Sequence, residues 1–415
     1  MIRKQLHEKT IRRMDAICSW FQSKTAELTY PIYSSYDIRD SGYKIVNVDA
    51  NIYPAGFNNI CPTDKETAPG LFANYLNQHY QNDIDKILLV TEEHTNNAYY
   101  WENVWTIQDL LTAGGYEVRV ALAKSFETPL NLKTSSGRDV TVYSAGENSN
   151  LWKEFTPDLV VSNNDFSEAH EEWAKNMVLP MNPPREMGWY QRKKSRYFEN
   201  YNSLVNEFAE VADIDPFLMR VETEEFLDFD INNEESREAL AQKVDTFLTD
   251  LKISYQKRGL DQVPFAFVKN NSGTYGLAVT RVSSGQEIRE WNYKSRKKMK
   301  AAKGGRDVEE VIIQEGVPSV IQADGATAEP VIYMIGCQLV GGFLRTHSEK
   351  SSTESLNSPG AIYKRLCVSD LLVRPEGCVL ENVYGWSAKL GLLAIGLEAG
   401  QMGVTFKGFH KKSCT

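Results

Sequence analysis

Residues 265–282 read FAFVKNNSGTYGLAVTRV. Two apolar runs flank a loop of asparagine, serine, glycine and threonine, the pattern of two strands joined as a hairpin. The first run ends at Lys269, and the loop carries Ser272, Gly273, Thr274, Tyr275 and Gly276. Side chains this small let backbone N–H groups approach phosphate oxygens, while a lysine at the strand end supplies the countercharge. The loop lacks the Gly-Lys-Ser or Gly-Lys-Thr of a Walker sequence, and no helix follows it, which argues against a dinucleotide-binding fingerprint. A glycine-containing hairpin by itself is also an ordinary turn. Its neighbours decide between the two readings.

Downstream, VEEVIIQEGVPS (308–319) is an apolar strand that ends in Gln314-Glu315-Gly316-Val317. Such an end offers an adenine a backbone donor and acceptor, and Glu315 offers a carboxylate to ribose hydroxyls. Then AEPVIYMIGCQLVGGFLRTH (328–347) reads as a second hairpin, with Gly341-Gly342 near its turn and Arg345 brought toward the same place. An arginine there can clamp a transferring phosphoryl group or a substrate carboxylate.

In this order of parts the sequence resembles the ATP-grasp ligases, which join a carboxylate to an amine through an acyl phosphate. The resemblance implies an ATP-grasp-like α/β fold with ATP and Mg2+ as cofactors. It also implies an aspartate strand and an E-x-N-x-x-P-G-like magnesium segment after the arginine hairpin, and none follows. Near the N-terminus, however, SYDIRDSGYKIVNVDANIYPAG (35–56) carries Asp49-x-Asn51-x-x-Pro54, with Asp37 twelve residues before Asp49 across a hairpin turn. Asp37, Asp49 and Asn51 are therefore the metal ligands that the resemblance implies, and the chain reads as circularly permuted. Two or more oxygen ligands completed by phosphates suit magnesium. The segment ESLNSPGA (354–361) competes for that role but lacks a preceding apolar strand, so it is expected to be a phosphate or substrate loop, with Asn357 as its working residue.

Within the superfamily, NVDANIYPAGFNN, TEEHTNNAYYWENV, KNNSGTYG, QEGVPS, AEPVIYMI and GGFLRTH together look like the bacterial glutamate–cysteine ligases, over about residues 33 to 402. The family implies ATP-dependent phosphorylation of the γ-carboxylate of glutamate, then attack by the cysteine amine to give γ-glutamylcysteine, ADP and phosphate. Catalytic weight then falls on Lys269 and Arg345. Lys269, Ser272, Gly273, Thr274, Tyr275, Gln314, Glu315, Val317 and Lys194 are expected at ATP. Arg39, Glu92, Asn96, Asn97, Tyr99, Arg345 and Asn357 are expected at the amino-acid substrates. The alternatives are a ligase for another amino-acid pair, or a nucleotide-binding protein without catalysis.

Around these motifs the chain divides as follows. Residues 1–63 hold an amphipathic helix over 2–28 and the metal hairpin, as part of the grasp. Residues 80–180 read as strand, helix, Gly-Gly stop and strand, a parallel-sheet α/β substrate domain whose ligand crevice lies at the carboxyl ends of its strands. A Pro-rich crossing and a helical stretch fill 181–262, an ATP-lid subdomain with a basic run fills 263–320, and the arginine hairpin and a C-terminal helix fill 321–415. His94 is expected to be a hydrogen-bonded loop residue.

At 415 residues, 42% hydrophobic and 24% charged, the chain has ordinary globular composition with material for more than one core. Its net charge of -9 argues against nucleic acid as a partner. No run of about 18 apolar residues suggests a membrane helix, and the N-terminus does not read as a signal peptide. The six cysteines are scattered with no Cys-x-x-Cys pair. That distribution predicts reduced thiols in the cytoplasm without a zinc site. Small-molecule substrates are the expected partners, and a homo-oligomer stays open.

Overall fold

A computed structural model describes residues 2–80, 84–175, 177–273, 278–299, 308–373 and 380–407. The strand Ala326–Ile335 organises it. Alternate residues of a strand point to opposite faces, and here Ile332 and Met334 enter one core while Val331, Tyr333 and Ile335 enter another. A strand buried on both faces reads as a continuous apolar run, which is why VIYMI shows no alternation.

On one side Ala326–Ile335 pairs antiparallel with Gln338–His347, which pairs with Ile362–Leu366. On its other side lies the N-terminal strand Tyr33–Asp40, which pairs with Ile45–Asn51. The first hairpin of the chain and one of its last thus share one antiparallel sheet. The hairpin turn is closed by Ser41 N donating to Lys44 O at 3.0 Å, with Gly42 at a φ of 80°. In the late hairpin the turn falls at Gly336 and Cys337, not beside Gly341-Gly342 as expected. That glycine pair sits inside the strand at a break in register near Tyr333 and Met334.

One core is closed by the helix Lys194–Ala212 and the C-terminal helix Val383–Gln401, whose Asn382 cap accepts from Tyr384 N and Gly385 N. Gly391 permits this helix to touch the hairpin. A Cβ there would lie 2.6 Å from the Tyr36 ring and 2.7 Å from the Tyr197 hydroxyl. Gly391→Ala is therefore expected to cost roughly 1–3 kcal/mol by overpacking, measurable as a lower urea midpoint with an unchanged slope.

The expected N-terminal helix is two, Ile2–Arg12 and Met14–Glu27, broken at Arg13. The second core joins the six-stranded sheet to helices Ala68–Tyr80 and Ala98–Ala113 and to a mostly parallel sheet. In that sheet Lys86–Thr91, Glu117–Leu122, Asp139–Ser144, Leu159–Asn163 and Met181–Asn182 run parallel, with Leu130–Lys133 as an antiparallel edge. A third, four-stranded antiparallel sheet orders Val279–Val282, Ala266–Asn270, Val311–Glu315 and Thr223–Phe226, backed by the helix Glu234–Lys257. The strand Thr223–Phe226 interrupts what reads in sequence as continuous helix. The basic run begins with the helix Tyr293–Met299, and its remainder, 300–307, lies outside the described residues.

Candidate active site

The four-stranded sheet and the N-terminal hairpin face each other across a cleft. Asp37, Arg39, Val48 and Asp49 line it from the hairpin, and Phe267, Lys269, Asn270, Gln314, Glu315 and Val317 line it from the four-stranded sheet. Lys194, Gly273, Glu329, Ser355 and Asn357 complete its wall.

Register explains the floor. Asp37 is the direct partner of Asp49, and Ser35 of Asn51, so all three metal candidates belong to one short stretch of hairpin, of which Asp37 and Asp49 line the cleft and Asn51 does not. Asn51 Oδ1 accepts from Tyr53 N at 2.8 Å, which fixes the turn that leads to Pro54 and leaves one lone pair of that oxygen. Two carboxylates side by side repel, and cations relieve them. Arg345 NH1 and NH2 reach Asp37 at 2.6 and 3.3 Å, and NH1 also reaches Glu329 at 2.7 Å. Lys194 Nζ binds Asp49 Oδ1. Arg39, Lys194 and Lys269 line the cleft with Asp37, Asp49, Glu315 and Glu329, and Lys44 and Arg345 reach those carboxylates from behind, so each carboxylate has a cation against it.

These neighbours set the protonation states. Burial pushes the Asp37 carboxyl up, against the pull of Arg345, with Glu329 adding to the push. Burial also acts on Asp49, but the charges of Lys194 and Lys269 outweigh it and hold that carboxyl below its usual range. Burial draws the Lys269 ammonium down to about 8, with Asp49 opposing and Lys194 assisting. Lys269 Nζ rests on Gln314 Oε1 at 2.6 Å and Val48 O at 3.1 Å.

Several expected residues are placed differently. Both oxygens of Glu315 are held by Lys44 Nζ at 2.8 Å, and the Tyr255 hydroxyl donates to it at 2.7 Å. Its carboxylate is a buried support, and what it can offer a ligand is backbone. Arg39 is likewise engaged, by Glu329 at 2.6 Å and by the carbonyls of Ser352 and Glu354 at 3.2 and 2.8 Å. It holds the loop that carries Ser355 and Asn357 against the cleft. Ser272 Oγ donates to Arg192 O at 2.9 Å, tying the small-residue loop to the start of the Lys194 helix. Thr274 and Tyr275 lie outside the described residues.

Glu92, Asn96, Asn97 and Tyr99 sit at the carboxyl end of the parallel sheet and do not line this cleft. Asn97 caps the helix Ala98–Ala113, accepting from Tyr99 N and Tyr100 N at 3.2 Å each. Tyr99 is exposed and Glu92 is buried beside His94, whose Nε2 lies 2.6 Å from it. This end of the sheet abuts the turn after the metal hairpin: Asn163 Nδ2 donates to Pro54 O at 3.0 Å, and Asn103 Oδ1 accepts from Gly56 N at 2.8 Å. Two contributors escaped sequence reading. Glu329 joins Arg39 to Arg345, and a carboxylate in register with Arg345 inside an otherwise apolar strand was its signal. Asn271, fully buried, bonds Ser195 Oγ and Glu225 at 3.1 and 2.6 Å and so fastens the loop to the helix.

A family description, glutamate-cysteine ligase, matches residues 7–399. The chain belongs to the glutamate–cysteine ligase family. A solved structure from Methylobacillus flagellatus KT, provisionally named a gamma-glutamylcysteine synthetase, is 32% identical with a TM-score of 0.85 over 96% of each chain. The resemblance read from KNNSGTYG, QEGVPS and GGFLRTH therefore holds for this ligase family. A D-cycloserine synthetase structure aligns at 12% identity and a TM-score of 0.39, covering 77% of this chain and 82% of its own. A D-alanyl-alanine synthetase A from Vibrio cholerae aligns at 13% and 0.34, covering 77% and 81%. Among curated proteins, none matches the sequence significantly. Among the described residues, no helix is long and apolar enough to cross a membrane.

Proposed function

We propose that this glutamate–cysteine ligase family member uses ATP and Mg2+ to phosphorylate the γ-carboxylate of L-glutamate, and then joins that carbon to the amine of L-cysteine. The observation that carries the reading is the facing pair Asp37 and Asp49, lining one cleft with Lys194 and Lys269 and backed by the buried Arg345 on Asp37. On this reading the N-terminal hairpin supplies the metal strands of a circularly permuted ATP-grasp.

The donor set fits magnesium: Asp37, Asp49 and the Asn51 amide offer hard oxygens, and Lys194 and Lys269 beside the two carboxylates suit an ion that arrives with phosphates. Bound there, the ion would neutralise charge on the phosphates as the phosphoryl group transfers. The chain's own residues do the rest. Lys269, projecting from its strand, and Lys194 draw the phosphates toward the hairpin, while the strand end at Glu315 to Val317 presents backbone to adenine. Arg345 is held by two carboxylates, and its buried Nε has no hydrogen-bond partner among the described residues, so this donor remains for a phosphoryl oxygen or the substrate carboxylate. Asn357, on the cleft-lining loop anchored by Arg39, recognises the amino acid on this reading. The cysteine ammonium must lose a proton before its nitrogen lone pair attacks the acyl phosphate, and phosphate leaves as the C–N bond forms.

Phosphate release measured with ATP and Mg2+, omitting glutamate and cysteine in turn, tests the reading. Release that requires both amino acids is expected. Release indifferent to them would overturn the ligase assignment in favour of a nucleotide-responsive protein, and release with a different pair would move the substrate. Lys269 adds a pH signature. Its ammonium is charged below about 8 in the free protein, so ATP affinity should fall as pH rises through that value. A binding titration that stays flat into the alkaline range would remove Lys269 from the phosphates.

A further inference from the structure

Cys61 and Cys367 lie 306 residues apart in sequence, yet their sulfurs approach to 3.1 Å. Both residues are buried. Scattered cysteines predicted no metal site, but the fold assembles a pair that linear spacing hid. Each cysteine opens the same four-residue pattern, Cys61-Pro-Thr-Asp64 and Cys367-Val-Ser-Asp370. Each immediately precedes a short helix, Pro62–Lys65 and Val368–Leu371. One bond joins the two turns, Asp64 Oδ2 accepting from Val368 N at 2.8 Å, while Asp370 Oδ2 closes its own turn by accepting from Cys367 N at 3.0 Å. Ligand atoms of Cys61, Asp64 and Cys367 all lie within 4.8 Å of one another.

We propose that these paired Cys-x-x-Asp turns form a second metal site, separate from the Asp37 and Asp49 hairpin, for a thiophilic divalent cation of the zinc class. Cys61, Asp64 and Cys367 are the ligands, and Asp370, which holds the Cys367 backbone N–H, supports them from outside. Two sulfurs with a carboxylate oxygen suit zinc far better than magnesium. Zinc–sulfur bonds of about 2.3 Å place two sulfurs about 3.8 Å apart, so the thiols need to part by less than about 1 Å. Each thiol releases its proton to solvent as the metal–sulfur bond forms. Burial and the neighbouring Cys61 push the Cys367 thiol up, and the exposed Arg365, whose Nε donates to Cys367 Sγ at 2.6 Å, opposes them. The site has a mechanical consequence. A Cβ on Gly341 would meet Ile60 at 2.6 Å and Asp64 at 3.3 Å, so an ion on Asp64 and Cys367 would pin the strand that carries Arg345.

Cobalt(II) titration of the reduced full-length protein provides the test, because sulfur-to-cobalt charge-transfer absorption reports thiolate ligation and is silent about an all-oxygen site. One equivalent per chain, displaced by zinc(II), is the expected result. Cys61→Ser and Cys367→Ser should each lower the near-ultraviolet band to about half or less, and the double variant should abolish it. Asp370→Asn, at an exposed position that leaves the fold intact, should keep the band and weaken affinity about 10–100-fold. The proposal is overturned if the reduced protein shows no such band, if Cys61→Ser retains it in full, or if intact mass shows the pair closing to a disulfide with no metal bound.

Discussion

Asp49→Asn is expected to lower turnover on the order of 10³-fold while leaving the fold in place. The side chain is 37% exposed and points into the cleft, in contrast to the enclosed Asp37 at 16%. An amide of the same shape keeps an acceptor for Lys194 but removes the negative charge that a divalent ion and its phosphates need. Lys194 is left with a neutral partner, so some stability is lost, but no cavity opens. The measurement is kcat for phosphate release together with the melting temperature of the unliganded protein. A near-normal kcat would remove the hairpin from the metal site and, with it, the reading of the chain as a permuted ATP-grasp. A collapsed melting temperature would show that Asp49 serves mainly to hold Lys194. Raising Mg2+ separates weakened ion binding, which recovers, from a lost transition-state contact, which does not.

The elements legible in the sequence were those whose signals are local. Asn382 with the apolar run after it marks the C-terminal helix to within a residue, and the Gly114-Gly115 stop marks the end of the helix Ala98–Ala113. The Asp37 and Asp49 hairpin was visible because its two strands are neighbours in sequence. Long-range choices were not. The strand Thr223–Phe226, TEEF, is polar and only partly buried, and it becomes a strand by pairing with Val311–Gln314 nearly ninety residues on. Glu315 reads as a ribose ligand because its strand end is right, but its carboxylate is claimed by Lys44 from the opposite end of the chain. Arg39 shows the same limit, a good recognition side chain by type that is occupied by the carbonyls of Ser352 and Glu354, which only the fold brings near. Asn97 differs: its amide is taken up locally, as the cap of the helix that follows it. Family resemblance located the cleft, and packing decided which side chains remain available within it.

Lys44→Met should be among the most destabilising single substitutions, costing roughly 3–5 kcal/mol. Lys44 and Glu315 have side-chain exposures of 1% and 0%, and the ammonium also lies 4.3 Å from the Phe217 ring centroid. Removing the lysine leaves a carboxylate that retains the Tyr255 hydroxyl and Glu222 N, at 2.7 and 3.1 Å, but has no countercharge. The penalty is that of an uncompensated buried charge, so Lys44→Met combined with Glu315→Leu should recover much of it, whereas additive losses would mean that the pair acts through shape rather than charge. Urea unfolding of the four proteins in the cycle reads the coupling directly. Because Lys44 follows the hairpin turn that leads into Asp49 and Glu315 ends the strand paired with Lys269's, the pair also fixes the spacing of the cleft. Substrate added at saturation should therefore restore more stability to the double variant than to Lys44→Met alone, since only the double variant keeps that floor and roof joined without an orphaned charge.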